Sequence, residues 1–400
     1  MSEKVMFLFI DALSSTYINE DIMPNVARLA RENYFTQMRS TFGFLAVGSA
    51  IFAGVSPNTA NLFNQHVLRV PAVSHPTWMK RLIEFGDAVP SERISWRVRK
   101  YLFKLLQYKH LGVCVSYVPA RLIDYFGLKP ERPFTEEGCL AIPTLFDVLR
   151  RNNKKYLIRN EGLSLERSLK EFSKTLKKSS DVDFAFIKIN SLDIMGHRYG
   201  SKADSTHKVA SRIDCEIQRL VNEFQDDYTI IVMSDHGMSP VDNHINLNGD
   251  IQKLTLEIGR DFVYFIDSTV ARFWFFNENA KSQLLKLLSN TERGHVLSKD
   301  ELSDVNCDKI GEEHGQIIFA LDEGNAFSPD FFHLHSPPLG MHGYFNSNFD
   351  SPIMIIINGR QSKRTFTASK NPKLTDIMPT VLEIMELDLP KSCEGSSLIV

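Results

Sequence analysis

Ile230-Ile231-Val232-Met233-Ser234-Asp235-His236-Gly237-Met238 runs from an uninterrupted apolar stretch straight into a carboxylate, an imidazole and a glycine. A short continuous apolar run rich in β-branched residues is how a strand buried on both faces reads, although periodicity alone leaves a buried helix open. Two further runs have the same form. Val5-Met6-Phe7-Leu8-Phe9-Ile10 ends at Asp11, and Phe184-Ala185-Phe186-Ile187-Lys188-Ile189 is followed by Asp193. Three carboxylates thus stand just past three expected strands. In an open α/β sheet, ligands bind in the crevice outside the carboxyl ends of the strands. A carboxylate placed there has little to gain from packing.

Working outward, the chain alternates strand-like and helix-like segments. Helices are expected from Met23-Pro24-Asn25, with Pro near the first turn, at 161–178, from about 203 to 224, and from Leu374. Further strands are expected at 155–158 and over Ser351–Gly359. This βαβ rhythm predicts an α/β fold, a mostly parallel central sheet with helices on both faces. We read 1–400 as one elaborated domain. Residues 60–140 form a helical insertion, and 245–335 form a lid or smaller antiparallel region with strand-like runs at 262–266, 270–276 and 315–320.

Composition bounds the partners. A chain of 400 residues, 43% hydrophobic with 28 Phe, can build a large core and is not disordered. A net charge of −2 supplies no global field for a nucleic-acid polymer, and none is expected as a partner. Cys114, Cys139, Cys215, Cys307 and Cys393 are odd in number and lack a CxxC pair, which reads as reduced structural thiols. The first apolar run is too early and too short for a signal peptide, and no uncharged apolar stretch reaches the roughly 18 residues of a spanning helix. A cytoplasmic protein is expected. The stretch Trp96–Lys109 is basic and aromatic at helical spacing. It reads as a surface helix packing its apolar side on the core, or as an interfacial helix making weak peripheral membrane contact.

Six residues have the type and setting of metal ligands: Asp11, Asp193, His197, Asp235, His236 and His342. In Asp193-Ile194-Met195-Gly196-His197 an oxygen and a nitrogen donor lie four residues apart, with Gly196 allowing a turn between them, and such donors suit zinc or manganese. A polar loop with a capping or exposed His is the alternative. In Asp235-His236 two adjacent donors serve one ion only if the backbone leaves its extended path, which Gly237 helps it do. Asp267–Phe276 is an aromatic segment with a single Arg272. It reads as a buried strand with a paired arginine, or as an edge that stacks a base and pairs with a phosphate.

These features resemble the alkaline phosphatase superfamily, and within it the type I phosphodiesterase and nucleotide pyrophosphatase branch. The matching segments are Phe7–Asp11, Met23-Pro24-Asn25, Asp193 with Gly196-His197, Ser234–Met238, Met341-His342-Gly343-Tyr344 and Asp376–Leu382, in family order across nearly the whole chain. The resemblance implies an alkaline-phosphatase-like fold and two divalent cations, zinc or alternatively manganese. Asp193, His197 and His342 would hold one, and Asp11, Asp235 and His236 the other together with the nucleophile. His335 is the substitute should His342 fail.

The nucleophile departs from the pattern. Counting back from Gly54 by the family spacing lands on Phe44, which has no hydroxyl. Thr41 is the expected nucleophile if the loop carries an insertion, with Ser40 and Ser49 as further candidates. A helix cap or loop hydroxyl is the alternative for Thr41, and a metal-bound water can replace a covalent step. The expected function is metal-dependent hydrolysis of a phosphodiester, pyrophosphate or phosphate monoester on a small-molecule, lipid- or sugar-linked substrate. Transfer to an acceptor alcohol and a catalytically impaired binding protein are the alternatives, and the oligomeric state is left open.

Overall fold

The side chains of Val5–Ile10 alternate between two cores. Met6, Leu8 and Ile10 enter one, and Val5, Phe7 and Phe9 enter the other. Because both faces of this strand are covered, every residue in it is apolar and buried, which explains the unbroken run in the sequence. Each such large side chain removed from water contributes about 1.5–3 kcal/mol.

The computed structural model describes residues 3–399 apart from 73, 90, 106–116, 163, 180, 348–350, 360, 361, 363 and 367–370. In chain order the main elements are β1 (Val5–Ile10), α1 (Pro24–Glu32), β2 (Tyr34–Gln37), α2 (Ala46–Ala53), α3 (Thr77–Ala88), α4 (Glu92–Leu105), α5 (Leu145–Arg151), β3 (Tyr156–Asn160), α6 (Leu165–Lys178), β4 (Phe184–Ile189), α7 (Ser191–Tyr199), α8 (Asp204–Phe224), β5 (Thr229–Met233), β6 (Phe262–Ile266), β7 (Val270–Phe275), α9 (Glu278–Ser289), β8 (Gly294–Val296), β9 (Ile317–Leu321), β10 (Ile353–Ile357) and α10 (Ile377–Ile384).

The central sheet has the order β2-β10-β5-β1-β4-β3. Strands β5, β1, β4 and β3 are parallel, whereas β10 and β2 join antiparallel at one edge. The register pairs Ile10 with Ile189 and Phe9 with Met233, so β1, β4 and β5 end close together. On one face, apolar residues of α1, α6 and α8 cover the sheet, and on the other those of α2, α5 and α10 do so.

A second, antiparallel sheet runs β6-β7-β9-β8. Its core takes in α9 and also Val118, Leu122 and Phe126. Within it, Arg272 on β7 is fully buried. Its Nε donates to Asp267 at 2.8 Å and its Nη1 to the His66 carbonyl at 2.7 Å. Of the two readings of Asp267–Phe276, this is the buried strand with its paired arginine, because a guanidinium without water must find its partners inside.

Helices α3 and α4 pack against each other where Gly86 meets Val98 and Asp87 pairs with the buried Arg99. Residues 106–109 of the basic aromatic stretch lie outside the described residues. Among the described residues, no helix is long and apolar enough to cross a membrane. Cys139, Cys215, Cys307 and Cys393 are free thiols, and Cys114 lies outside the described residues.

Candidate metal centre

Asp11 is the first residue beyond β1, and its N–H donates to the Ile189 carbonyl at 2.9 Å, extending the β1–β4 ladder by one bond. The chain then turns sharply, with Ala12 at φ 63°. A non-glycine residue in the left-handed region is uncommon and costs of order 1 kcal/mol, so the surrounding packing must enforce it. Asp11 is thereby left at the sheet end.

Ser234 ties the end of β5 to β10. Its N–H donates to the Ile353 carbonyl at 3.0 Å, and its hydroxyl accepts from the Ile353 N–H at 2.9 Å. Asp235 and His236 follow, both buried. His236 Nδ1 is 2.8 Å from the Gly237 carbonyl, which assigns its proton to that nitrogen and leaves Nε2 as the free donor atom. That Nε2 lies 3.2 Å from Asp11 Oδ1 and 3.6 Å from Asp235 Oδ2.

Asp193 and His197 correct one sequence expectation. They sit on helix α7, one turn apart, and not on either side of a turn made by Gly196. An i, i+4 pair shares a helix face, which is how the two side chains meet. Glu161 caps the start of α7, accepting from the Asn190 and Ser191 N–H groups at 2.8 Å each. Gly196 has a packing role, since a Cβ there would come within 2.8 Å of Met238 Cε. His197 Nδ1 is 2.9 Å from the Gly340 carbonyl, and its Nε2 is 3.1 Å from Asp193 Oδ1.

The short pairing of Gly340-Met341 with Ser239-Pro240 carries His342 to the cluster. Its ring stacks on His236 with centroids 3.5 Å apart and planes 10° from parallel, and its Nε2 is 3.7 Å from Asp193 Oδ1. Gly343 follows at φ 79°, and a Cβ there would meet the Phe44 ring at 2.8 Å. All six expected residues therefore come together. Donor atoms of Asp11, Asp235 and His236 lie within 4.8 Å of one another, as do those of Asp193, His236 and His342. The first group is the expected one. In the second, His236 takes the place expected of His197, whose ring lies 5.1 Å from that of His342.

The donor set fits divalent cations. Three carboxylates and three imidazoles converge, two of the imidazoles are oriented by carbonyl groups, and Asp193 Oδ1 has no hydrogen-bond donor in proper geometry. The titration behaviour reflects charges crowded away from water. Burial, then the neighbouring Asp11, pushes the Asp235 carboxyl up. For Asp11, burial is outweighed by Lys188 and His236, and its carboxyl is held well below the usual range. For His236, burial is outweighed by Asp235 and Asp11, which raise it, whereas burial and the charges of His236 and His197 push His342 down.

Three neighbours stand beside the six, and of these Lys188 was not singled out from the sequence. Lys188 Nζ lies 2.7 Å from Asp11 Oδ2, and the lone lysine in the apolar run before Asp193 was the available signal. His333, held by Asp330 at 3.0 Å, has its ring 5.8 Å from that of His197. Phe44 reaches the cluster at the start of α2, with its ring edge-on to His342 at 5.3 Å and its N–H donating to Asn64 Oδ1 at 2.8 Å. Thr41 lies three residues earlier in the coil, half-buried. Ser49 is inside α2, where its hydroxyl donates to the Ala46 carbonyl at 2.8 Å. Ser40 is half-buried in the coil before Thr41, and His335 lies in the loop ahead of Gly340.

The fold is similar to that of solved ectonucleotide pyrophosphatase/phosphodiesterase 5 structures. For the inactive murine protein in complex with AMP, the TM-score is 0.66 at 13% identity, covering 100% of both chains. The human protein gives 0.66 at 14%, covering 99% of this chain and 100% of that one, and another murine structure gives 0.65 at 14%, covering 100% of both. At such identities the likeness concerns the fold. The family model described as type I phosphodiesterase / nucleotide pyrophosphatase matches residues 119–345, more than half of the chain, including Asp193, His197, Asp235, His236 and His342. With that match and the central sheet of the alkaline phosphatase superfamily beneath it, the chain belongs to the type I phosphodiesterase / nucleotide pyrophosphatase family.

Proposed function

We propose that the protein hydrolyses a small-molecule phosphodiester or pyrophosphate at a site where Asp11, Asp193, His197, Asp235, His236 and His342 hold two divalent cations, zinc or alternatively manganese. The observation that supports this is the convergence of the six side chains, with His236 common to the two donor groups. When bound, such cations offset the carboxylate charge, polarise phosphate oxygens and ease deprotonation of an attacking hydroxyl or water. The chain's own contribution is orientation. The Gly237 and Gly340 carbonyls fix the imidazoles of His236 and His197, and the Phe44 ring covers one side of His342.

Water is the nucleophile in this reading, with Thr41 as the alternative, because the residue that approaches His342 from the start of α2 is Phe44. Thr41→Ala should retain turnover, and a loss beyond about 100-fold would make Thr41 the nucleophile. Phe44 also favours a second reading, a binding protein without turnover. Purified metal-loaded protein mixed with bis-nitrophenyl phosphate separates the two. The first reading expects release of nitrophenol that Asp235→Ala abolishes, and the second expects none while AMP, the ligand of the murine relative, still binds.

A weak peripheral membrane contact belongs to the same proposal. Trp78, Leu82 and Phe85 form an exposed stripe on α3, and Ile94, Trp96 and Tyr101 are exposed on α4. Arg81, Arg97 and Lys100 are exposed among them, and Lys100 lies 4.4 Å above the Trp96 ring. Exposed aromatic and basic side chains on two packed helices suit an anionic bilayer surface. Flotation with vesicles containing phosphatidylserine should carry the protein, and a Trp78→Ser, Phe85→Ser variant that floats equally well would refute the contact.

A further inference from the structure

We infer that Lys188 is a built-in cation of the Asp11–Asp235–His236 half of the site, and that it makes the two divalent-cation positions unequal in affinity. The inference rests on the two-cation reading above. Lys188 is the only charged residue in β4, opposite Phe9 of β1 in register, and its stem passes over the Phe9 ring with Nζ 4.9 Å from the centroid. This strand position delivers the ammonium to Asp11 Oδ2 at 2.7 Å. The other oxygen of Asp11 faces His236 Nε2 at 3.2 Å. One oxygen of Asp11 is thus held by a resident ammonium.

The other half of the site differs. Asp193 Oδ1 has His197 Nε2 at 3.1 Å and His342 Nε2 at 3.7 Å, yet no donor in hydrogen-bond geometry. Among the described residues, the ion pairs of Asp193 are with these imidazoles and not with a lysine or arginine, so a divalent ion entering there displaces no resident ammonium. An ion entering the Asp11 half must displace Lys188 from a short charge-assisted bond and then tolerate a like charge nearby. The Lys188 side chain is a third exposed, so the ammonium can swing toward water with its proton retained. Filling is therefore ordered: the Asp193 half loads at low metal concentration and the Asp11 half at higher concentration.

Calorimetric titration of the metal-free protein with zinc, paired with metal content by mass spectrometry after dialysis, tests this. Wild type should bind two equivalents in two separated steps. Lys188→Met keeps the stem over Phe9 and removes the charge, and it should tighten the weaker step at least tenfold while leaving the tighter step in place. Lys188→Arg should keep the wild-type separation, and Lys188→Gln serves if the Met variant does not fold. Two equivalents bound with affinities that neither neutral variant changes would overturn the role of Lys188 and leave the two-cation reading standing. Binding of no zinc by wild type and variants alike would overturn both.

Discussion

At the scale of single residues, the centre is built from side chains whose second atoms are already committed. His197 illustrates this, with Nδ1 on the Gly340 carbonyl and Nε2 facing Asp193. Losing an outer partner of a metal-binding imidazole costs roughly 10–100-fold in affinity or activity, so removing a donor itself should cost more than about 100-fold. Asp235→Ala and His197→Ala should each lower kcat/KM on bis-nitrophenyl phosphate by at least that factor, with the thermal transition of the metal-free protein little changed. A smaller loss would place the residue outside the centre. Arg272 tests a different residue-scale claim. Its charge is fully buried against Asp267, and removing one partner of such a pair costs about 3–5 kcal/mol because the other is left uncompensated. Arg272→Met should lower unfolding stability in guanidinium by that amount, and adding Asp267→Asn should recover part of it. Equal single and double losses would contradict the pairing account. The strand-end carboxylates were legible in the sequence because each follows a short apolar run of the kind a strand buried on both faces requires. Phe44 was legible only as a missing hydroxyl. Its approach to His342 depends on the coil before α2, which carries no periodicity.

Elements decide how the residues meet. The Asp193–His197 spacing is equally compatible with a turn and with one helical step, and Gly196 tipped the sequence reading toward a turn. The structure places both on α7, and Gly196 serves close packing against Met238. Lys188 was missed for a related reason, since one lysine in an apolar strand does not declare which partner waits at its tip. The apposition of α7 with the Gly340-Met341 strand is tight. A Cβ on Gly340 would lie 2.6 Å from the Gly196 carbonyl oxygen, a backbone atom that cannot move without its helix. Gly340→Ala should therefore push α7 away and misalign His197 without removing a donor. We expect activity and metal affinity to fall about 10–100-fold with the far-UV spectrum unchanged, and full retention of both would show that this contact does not set the geometry.

On the scale of the whole molecule, two histidines that flank the second sheet, His66 and His314, accept at their carbonyls from the buried Arg272. Burial and the Arg272 charge push His66 down to about 3 and His314 to about 4, from an ordinary value of 6.5. The folded state thus binds fewer protons than the unfolded chain between those values. Their contribution to stability is fully present above pH 6.5 and is lost as the pH falls toward 4. The denaturation midpoint should decline over that window, and His314→Gln should flatten the decline. An unchanged slope would remove His314 from the effect. The central sheet, with its parallel strands and helices on both faces, was legible because its inner strands are short apolar runs and its helices carry apolar residues at helical spacing. The sharing of His236 between donor groups was not, since it arises from the stacking of His342 brought in more than one hundred residues later.

Two cations held by these six side chains are what every step of the proposed hydrolysis requires. Metal content of the purified protein, loaded with zinc and dialysed, measures this directly by mass spectrometry. Two equivalents per chain are expected, falling to one or fewer in Asp235→Ala. Wild-type protein that retains none after the same loading would contradict the claim.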